Sequence, residues 1–334
     1  MFFPVLLCCC LLYFIVWLFI RPKQSLVFAI AVLLSIPAVL KSVALHTGTA
    51  FNNNPPANNI RVLTWNVGLL NLTARTTTIA EANNAAMLNK LKILNPDVVC
   101  LQEFFTAVVP GTQYDFIDSI SRTLGYPYYY FSQDIPYFGE QYFSGNIIFS
   151  KHKIIDSNRT VFANPYLGAL LKTSIVKGTD TVDIFTSRLR SVNFGHHEYE
   201  TIDKMKKGSD ANLKGTASIL KKLRTGYQDR NSQVQMIAAE LDKTDRPFVF
   251  AADFNDVPTG YAYAKLKNGR QDVWLQKGNG MGRTFKYISP TLRIDYIFAS
   301  KQFEVNQVRR IISAGSDHYA LMADVVLKKI KPGR

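Results

Sequence analysis

The chain predicts an α/β fold of two packed β-sheets flanked by helices, preceded by an N-terminal transmembrane helical hairpin. Three observations predict it. Two long apolar runs open the sequence. Strand-like and helix-like pieces then alternate through both halves of the remainder, several strands having wholly apolar cores. Finally, many of those strand pieces stop on an acid or a carboxamide.

The 334 residues are 47% hydrophobic and 19% charged, the balance of a globular enzyme with one large core or two smaller ones. MFFPVLLCCCLLYFIVWLFI carries no charge, and SLVFAIAVLLSIPAVL follows after RPKQ. Each run approaches the length at which a helix crosses the hydrocarbon core, about 20 residues. A cleaved signal peptide competes for the first run. It fits poorly, because no basic residue precedes the run and a second one follows directly. Arg21 and Lys23 lie between the runs, and positive loops stay cytoplasmic. The expectation is an anchor over residues 1–45 in a bacterial inner membrane, with the catalytic body on the periplasmic or outer side. Lys41, after the second run, works against that orientation. Cys8, Cys9 and Cys10 are small apolar filling of the first run, and Cys100 alone cannot make an intradomain disulfide. The formal charge is +14, with no acid before Glu81. Such a surplus favours nucleic acid, phosphorylated small molecules or anionic lipid surfaces without choosing among them.

The Asn-rich, proline-bearing residues 46–59 read as a linker, and residues 60–334 as the body. A strand is expected over 60–66 (IRVLTWN), then a helix over 80–94 broken by Asn95-Pro96-Asp97. A strand over 98–102 ends at Glu103. A short helix over 115–124, a strand over 126–131 and strand pieces at 146–150 and 161–162 follow. Residues 171–176 and 181–187 form a hairpin around Lys177-Gly178-Thr179-Asp180. A long polar segment over 192–215 leads into a helix over 216–242. The strand 247–252 comes next, and short strands over 284–286, 294–299, 303–312 and 319–326 close the chain. No Walker or Rossmann glycine loop is present.

The stretch VFAADFND, residues 249–256, poses the functional question. Strand positions two apart share a side, so Asp253 and Asn255 project together with Phe254 turned away. Either a site needs a carboxylate beside an amide, or a strand has ended in polar turn residues. Asn66, Glu103, Asp295 and the pair Asp317-His318 close other apolar runs in the same way. If those strands lie side by side, their ends meet on one rim. A cluster of acids there repels itself unless a cation binds. Oxygen ligands suit Mg²⁺, which keeps waters and shares phosphate oxygens. No Cys/His set has zinc spacing.

The ordered pieces TWN, LQE, SGNIIFSK, ADFND, RIDYIF and SDH resemble the endonuclease/exonuclease/phosphatase family, with its deoxyribonuclease-I-like fold, over nearly the whole body. The resemblance implies a four-layer α/β sandwich with the site at the strand ends. It implies a metal site at Glu103 and Asn66, with Asp317 as an additional ligand, for Mg²⁺ or alternatively Mn²⁺. Asp253 matches the carboxylate that holds or deprotonates the attacking water, and Asn255 the amide that orients water and a phosphate oxygen. Asp295 matches the acid that fixes the tautomer of His318, itself a general base or a donor to the phosphoryl group. The implied reaction is in-line attack of water on a phosphate ester of a nucleic acid, phospholipid or phosphorylated metabolite. No obligate protein partner is implied, and the membrane is the other partner.

One departure stands out. Many members carry a histidine in the central strand, where this chain has FTSRLRS, with Arg188 at the matching position. An arginine holds a phosphate oxygen but exchanges no proton. This keeps open an alternative, a phosphate-binding module with altered chemistry; His196 and His197 are nearby substitutes in sequence. The basic residues Lys204, Lys206, Lys207, Lys214, Lys221, Lys222 and Arg224 read either as a solvated face or as a flap toward a polyanion. Tyr128, Tyr129, Tyr130, Tyr137, Phe138, Tyr142 and Phe143 are mostly packing residues, with base stacking or a place at the membrane surface as the alternatives.

Overall fold

The computed structural model describes residues 3–47, 50–72, 74–112, 114–191, 213–287 and 289–328. Two helices open it, α1 (Phe3–Ile20) and α2 (Pro22–Ser42). Arg21 alone separates them, so Lys23 sits in the first turn of α2 rather than in a loop. Tyr13 stacks on Phe28 across the pair, with centroids 5.5 Å apart. Apolar side chains such as Leu6, Ile15, Phe19 and Leu34 face outward. The hydroxyls of Ser25, Ser35 and Ser42 donate to carbonyls of their own helix, Pro22, Val32 and Ala38. That arrangement satisfies the three serine hydroxyls within the helix itself. Both helices are long and apolar enough to cross a membrane.

Strand β1 (Ala44–Leu45) follows at once. The body adds β2 (Ile60–Asn66), α3 (Thr77–Leu94), β3 (Val98–Ala107), α4 (Phe116–Ser121), β4 (Tyr128–Phe131), β5 (Ile135–Tyr137) and β6 (Tyr142–Ser150). Next come β7 (Ile154–Val161), β8 (Ala169–Lys177), β9 (Asp180–Thr186), α5 (Leu213–Asp242), β10 (Phe248–Asp253) and α6 (Tyr261–Lys267). The chain closes with β11 (Gln271–Asp272), α7 (Val273–Lys277), β12 (Asn279–Gly280), β13 (Asp295–Ala299), β14 (Phe303–Ile311) and β15 (Ala320–Leu327).

Two large sheets result. One runs β14-β15-β2-β3-β6-β4, with β5 beside β6; the other runs β11-β13-β10-β9-β8-β7. The period-two alternation of side chains assigns the layers. Val62, Val98, Ile184, Val249, Ala251, Ile297 and Ala323 face inward and pack sheet against sheet. Leu63, Trp65, Val99 and Leu101 face the other way and meet Met87 and Leu91 of α3 and Ile120 of α4. Phe250, Ala252 and Phe298 meet Val234 and Ile237 of α5 and Tyr263 of α6. The order is helix, sheet, sheet, helix, which is the expected four-layer sandwich.

Several elements differ from expectation. Strand β3 runs past Glu103 to Ala107, because a register shift between Leu101 and Phe104 absorbs the turn at Glu103 and pairing then resumes. The hydrophilic β7 edge strand reached only its last residue in the sequence reading, since IIDSNRTV buries no face fully. The expected strand over 284–286 is a single bridge, Phe285 with His318. Helices α6 and α7 were not expected, each being too short to show a helical period. Residues 46–59 do not hang free where they are described: Asn52 and Asn53 carbonyls accept from the Arg61 guanidinium at 2.8 and 2.7 Å.

Candidate active site

The inner faces of the strands change character toward one rim. Behind the apolar layer, Gln102 donates to Thr64 Oγ1 at 3.0 Å and to Thr186 Oγ1 at 2.9 Å, and Thr186 donates to the Ala251 carbonyl. These fully buried polar groups satisfy one another across the two sheets. The next residues along the same faces are the candidate site.

Asn66 ends β2, and its parallel partner is Gln102, so Glu103 lies just beyond it on the neighbouring strand. Glu103 has φ +49°, a left-handed conformation at the β3 irregularity that turns its carboxylate toward the rim. Asp253 ends β10 and stands opposite Asp295, the first residue of antiparallel β13. Arg188 bridges to Asp253 just after β9 ends. Asp317 and His318 precede β15, which is antiparallel to β2. Strand direction therefore delivers all of them to one end of the sandwich.

The contacts are specific. The Asn66 amide Nδ2 donates to Glu103 Oε1 at 3.0 Å and to Asp253 Oδ2 at 2.9 Å, so one side chain ties the two sheets together. Its Oδ1 accepts from the Gly68 N–H at 3.0 Å. The Arg188 Nε lies 2.7 Å from Glu103 Oε1 and 3.9 Å from Asp253 Oδ2. The His318 Nδ1 is 2.9 Å from Asp295 Oδ2, which leaves Nε2 for a ligand. Ligand atoms of Asp253, Asp295 and His318 all lie within 4.8 Å of one another. Asn255 is also here, though strand alternation is not what aims it. Strand β10 stops at Asp253, and Asn255 has φ +48°. Its N–H donates to Asp253 Oδ1 at 2.9 Å, and its Nδ2 to Asp253 Oδ2 at 3.1 Å and to the Leu189 carbonyl at 2.9 Å. Asp317 is half-buried at the edge, 3.4 Å from Ser316 Oγ, and close enough for its charge to act on Arg188 and His318.

Electrostatics follow from that packing. Burial and the Asp295 carboxylate push Asp253 up to about 6, against the pull of His318 and Arg188. Burial opposes the charge on His318, but Asp295 and Asp253 overcome it and raise the imidazole to about 10. Burial would also raise Glu103; the Arg188 guanidinium and the Asn66 amide outweigh it and hold that carboxyl below its ordinary range. At neutral pH the site holds an ionised Glu103 and a protonated His318.

A supporting ring of residues escaped the sequence reading. The buried Thr284 hydroxyl accepts from the N–H groups of Ile294 and Asp295 at 2.9 and 3.0 Å, fixing the entry to β13. Ser316 Oγ donates to the Asn66 carbonyl at 2.6 Å and accepts from the His318 N–H at 3.0 Å. Trp65 Nε1 donates to the His318 carbonyl, and the Phe285 ring meets the imidazole at 5.0 Å. The S of SDH was the one available signal. Asp256, the last acid of VFAADFND, is structural: its carboxylate accepts from the N–H groups of Val257 and Ala262 and so holds the start of α6.

The other sequence candidates divide. His196, His197, Lys204, Lys206 and Lys207 lie outside the described residues, as does the side chain of Lys214. Lys221 and Arg224 are exposed on α5, and Lys222 is half-buried there. Tyr137 and Tyr142 pack on Phe105 with centroids 5.6 and 5.3 Å away, while Tyr129 and Phe138 remain exposed.

Acids, amides and a histidine thus gather at the strand ends of a helix-flanked double sheet, an arrangement suited to holding a cation and a phosphate ester together. The chain belongs to the Endonuclease/Exonuclease/phosphatase family, whose sequence profile matches residues 63–318. The fold is similar to that of the endonuclease/exonuclease/phosphatase from Beutenbergia cavernae, with TM-score 0.56 and 22% identity over 81% of this chain and 72% of that one. The human nocturnin catalytic domain with bound sulfate anion is similar at TM-score 0.55 and 16% identity, over 82% of this chain and 100% of that one. TDP2 of D. rerio, complexed with single strand DNA product, is similar at TM-score 0.54 and 19% identity, over 80% and 98%. No curated protein sequence matches the chain.

Proposed function

We propose that the protein is a membrane-anchored, divalent-metal-dependent phosphoesterase. The observation that carries this reading is the meeting of Asp253, Asp295 and His318 within 4.8 Å, with Asn66 tying Asp253 to Glu103. The donor chemistry fits a hard cation. Glu103 is held ionised, Asp317 supplies a further carboxylate, and Asn66, its Nδ2 turned to Glu103, acts through that hydrogen bond or through a water. These three residues would hold Mg²⁺ or Mn²⁺, whose role when bound is to offset charge developing on the phosphate oxygens. Asp253 accepts the proton of the attacking water, with the Asn255 amide beside it to orient water and a phosphate oxygen. His318, kept protonated by Asp295, donates from Nε2 to a phosphoryl oxygen. Arg188 supplies a permanent cation where many relatives carry histidine.

A second reading, a phosphate-binding module with altered chemistry, rests on the close approach of Arg188 to Glu103. In it the guanidinium occupies part of the charge that a metal would otherwise balance. One set of assays separates the two. The full chain is offered plasmid DNA, RNA, phosphoinositides and sphingomyelin with Mg²⁺, and then with EDTA. Turnover that EDTA abolishes is expected. Asp253→Ala should reduce it about 10²- to 10⁴-fold without unfolding the body. Activity at the wild-type rate in that variant would remove the site assignment. Arg188→His should keep measurable turnover; a folded but inactive Arg188→His would give the guanidinium a role of its own. Retained ligand binding with no turnover of any substrate would favour the module. The sulfate anion on nocturnin and the DNA product on TDP2 place both small oxyanions and nucleic acid among the ligands to try.

A further inference from the structure

A second, strongly basic cavity lies outside the site just described. It holds about 480 Å³, and its lining includes Lys277, Arg283, Arg309, Arg310 and His46 with no aspartate or glutamate. Trp274 forms part of the wall, its Nε1 donating to the Gly280 carbonyl at 3.1 Å. Gly278 and Gly282 let the backbone close round that indole, since a Cβ at either would come within 2.5 Å of it.

The cations are held by neutral partners. Arg283 Nε donates to the Phe285 carbonyl at 2.7 Å, and Arg310 Nη1 to the Arg283 carbonyl at 2.9 Å. The Arg309 guanidinium sits over the Phe51 ring at 4.3 Å, and its buried Nε has no hydrogen-bond partner among the described residues. Among the described residues, no carboxylate comes within ion-pair distance of Lys277, Arg283, Arg309 or Arg310. Lys277, Arg283 and Arg310 thus bring three positive groups to one open space without an ion pair among the described residues, while the Arg309 guanidinium turns to the other face of β14, over Phe51 and toward Asp324. Such an arrangement selects a multiply charged anion with oxygen acceptors.

The position of the cavity indicates where that anion comes from. Helix α2 ends at Ser42, and His46 already lines the cavity. Four extended residues span at most about 13 Å. The connection is also fixed. Strand β1 pairs with β12, Ala44 is buried in the core, and the His46 N–H donates to the Gly278 carbonyl at 3.2 Å. Arg293, paired with Asp272 at 2.7 Å, donates to the Lys41 carbonyl at 3.0 Å. Met281 lines the basic cavity and also a small crevice shared with Phe3 and Ser42, the two helix ends nearest the body.

We infer that this cavity is a receptor for the phosphate of an anionic lipid head group, holding the body in one attitude on the bilayer. The inference rests on the membrane-anchor reading above. Basic groups near a bilayer surface favour anionic over zwitterionic lipid.

The test uses the full chain, with Lys277→Gln, Arg310→Gln and the double variant; Lys277 is exposed, so its change leaves packing intact. Flotation with phosphatidylcholine vesicles reads the anchor alone. Native mass spectrometry with phosphatidylcholine or phosphatidic acid reads the cavity, and calorimetry with inorganic pyrophosphate reads soluble phosphate. Wild type should retain phosphatidic acid over phosphatidylcholine about tenfold or more, and the double variant should lose that preference. Flotation and turnover of a soluble phosphodiester should not change in the variants. Equal lipid retention by wild type and double variant overturns the cavity as the receptor. Pyrophosphate binding without lipid preference reassigns it to a soluble phosphate and overturns the head-group source. A chain that does not float has lost its anchor reading, and the head-group source falls with it.

Discussion

In the proposed mechanism His318 and Asp253 set the chemistry at the residue scale, and their shifts have opposite consequences along the pH axis. If Asp253 must be ionised and His318 protonated, kcat/KM should rise through about pH 6 and fall through about pH 10. A pH–rate profile on a soluble phosphodiester checks this, and the acid limb should vanish from the residual activity of Asp253→Ala. The same imidazole makes a stability prediction. Its pKa is raised in the fold above its ordinary 6.5, so the fold gains from its charge below that pH. The gain is lost as pH rises through about 10. Thermal unfolding in EDTA should therefore show His318→Gln most destabilised relative to wild type in mild acid, and least above pH 10. A constant difference across that range would mean that packing, not the ion pair with Asp295, is what the histidine provides.

At the scale of elements, strand ends explain both what the sequence revealed and what it hid. Asn66, Glu103, Asp253, Asp295 and His318 were legible because each borders an apolar run, and a polar residue there is conspicuous by contrast. Their placement on one rim needed pairing, which no local pattern contains: β2 and β3 are parallel while β10 and β13 are antiparallel, yet both arrangements bring the named residues together. Thr284 stayed hidden because a threonine in a strand-like piece looks ordinary, and its partners are amides ten and eleven residues away. Short helices such as α7 lack a full period and were equally invisible. Thr284 now carries a prediction. Thr284→Val keeps the shape but leaves two buried N–H groups without an acceptor. It should cost about 1–3 kcal/mol in denaturant unfolding and reduce kcat as Asp295 loosens. A variant as stable and active as wild type would show that water replaces the hydroxyl.

The whole molecule joins two apolar helices to a basic body with almost no slack. Arg293 reaching the Lys41 carbonyl and β1 pairing with β12 make the junction part of the core rather than a tether. If the loop at Arg21 is cytoplasmic, the body lies on the opposite side of the membrane. Protease added to intact spheroplasts should then digest the body and leave a small membrane-protected fragment. Digestion only after lysis would reverse the orientation.

Asn66 gives the architecture a built-in gauge of its own spacing. Its amide grips one carboxylate from its own sheet and another from the facing sheet. A gap between the layers about 1 Å too wide would break the second grip while every strand stayed paired. Interior substitutions far from the rim, such as a bulkier side chain at Ala251 or Ala323, would then silence the enzyme while its circular dichroism spectrum stayed unchanged.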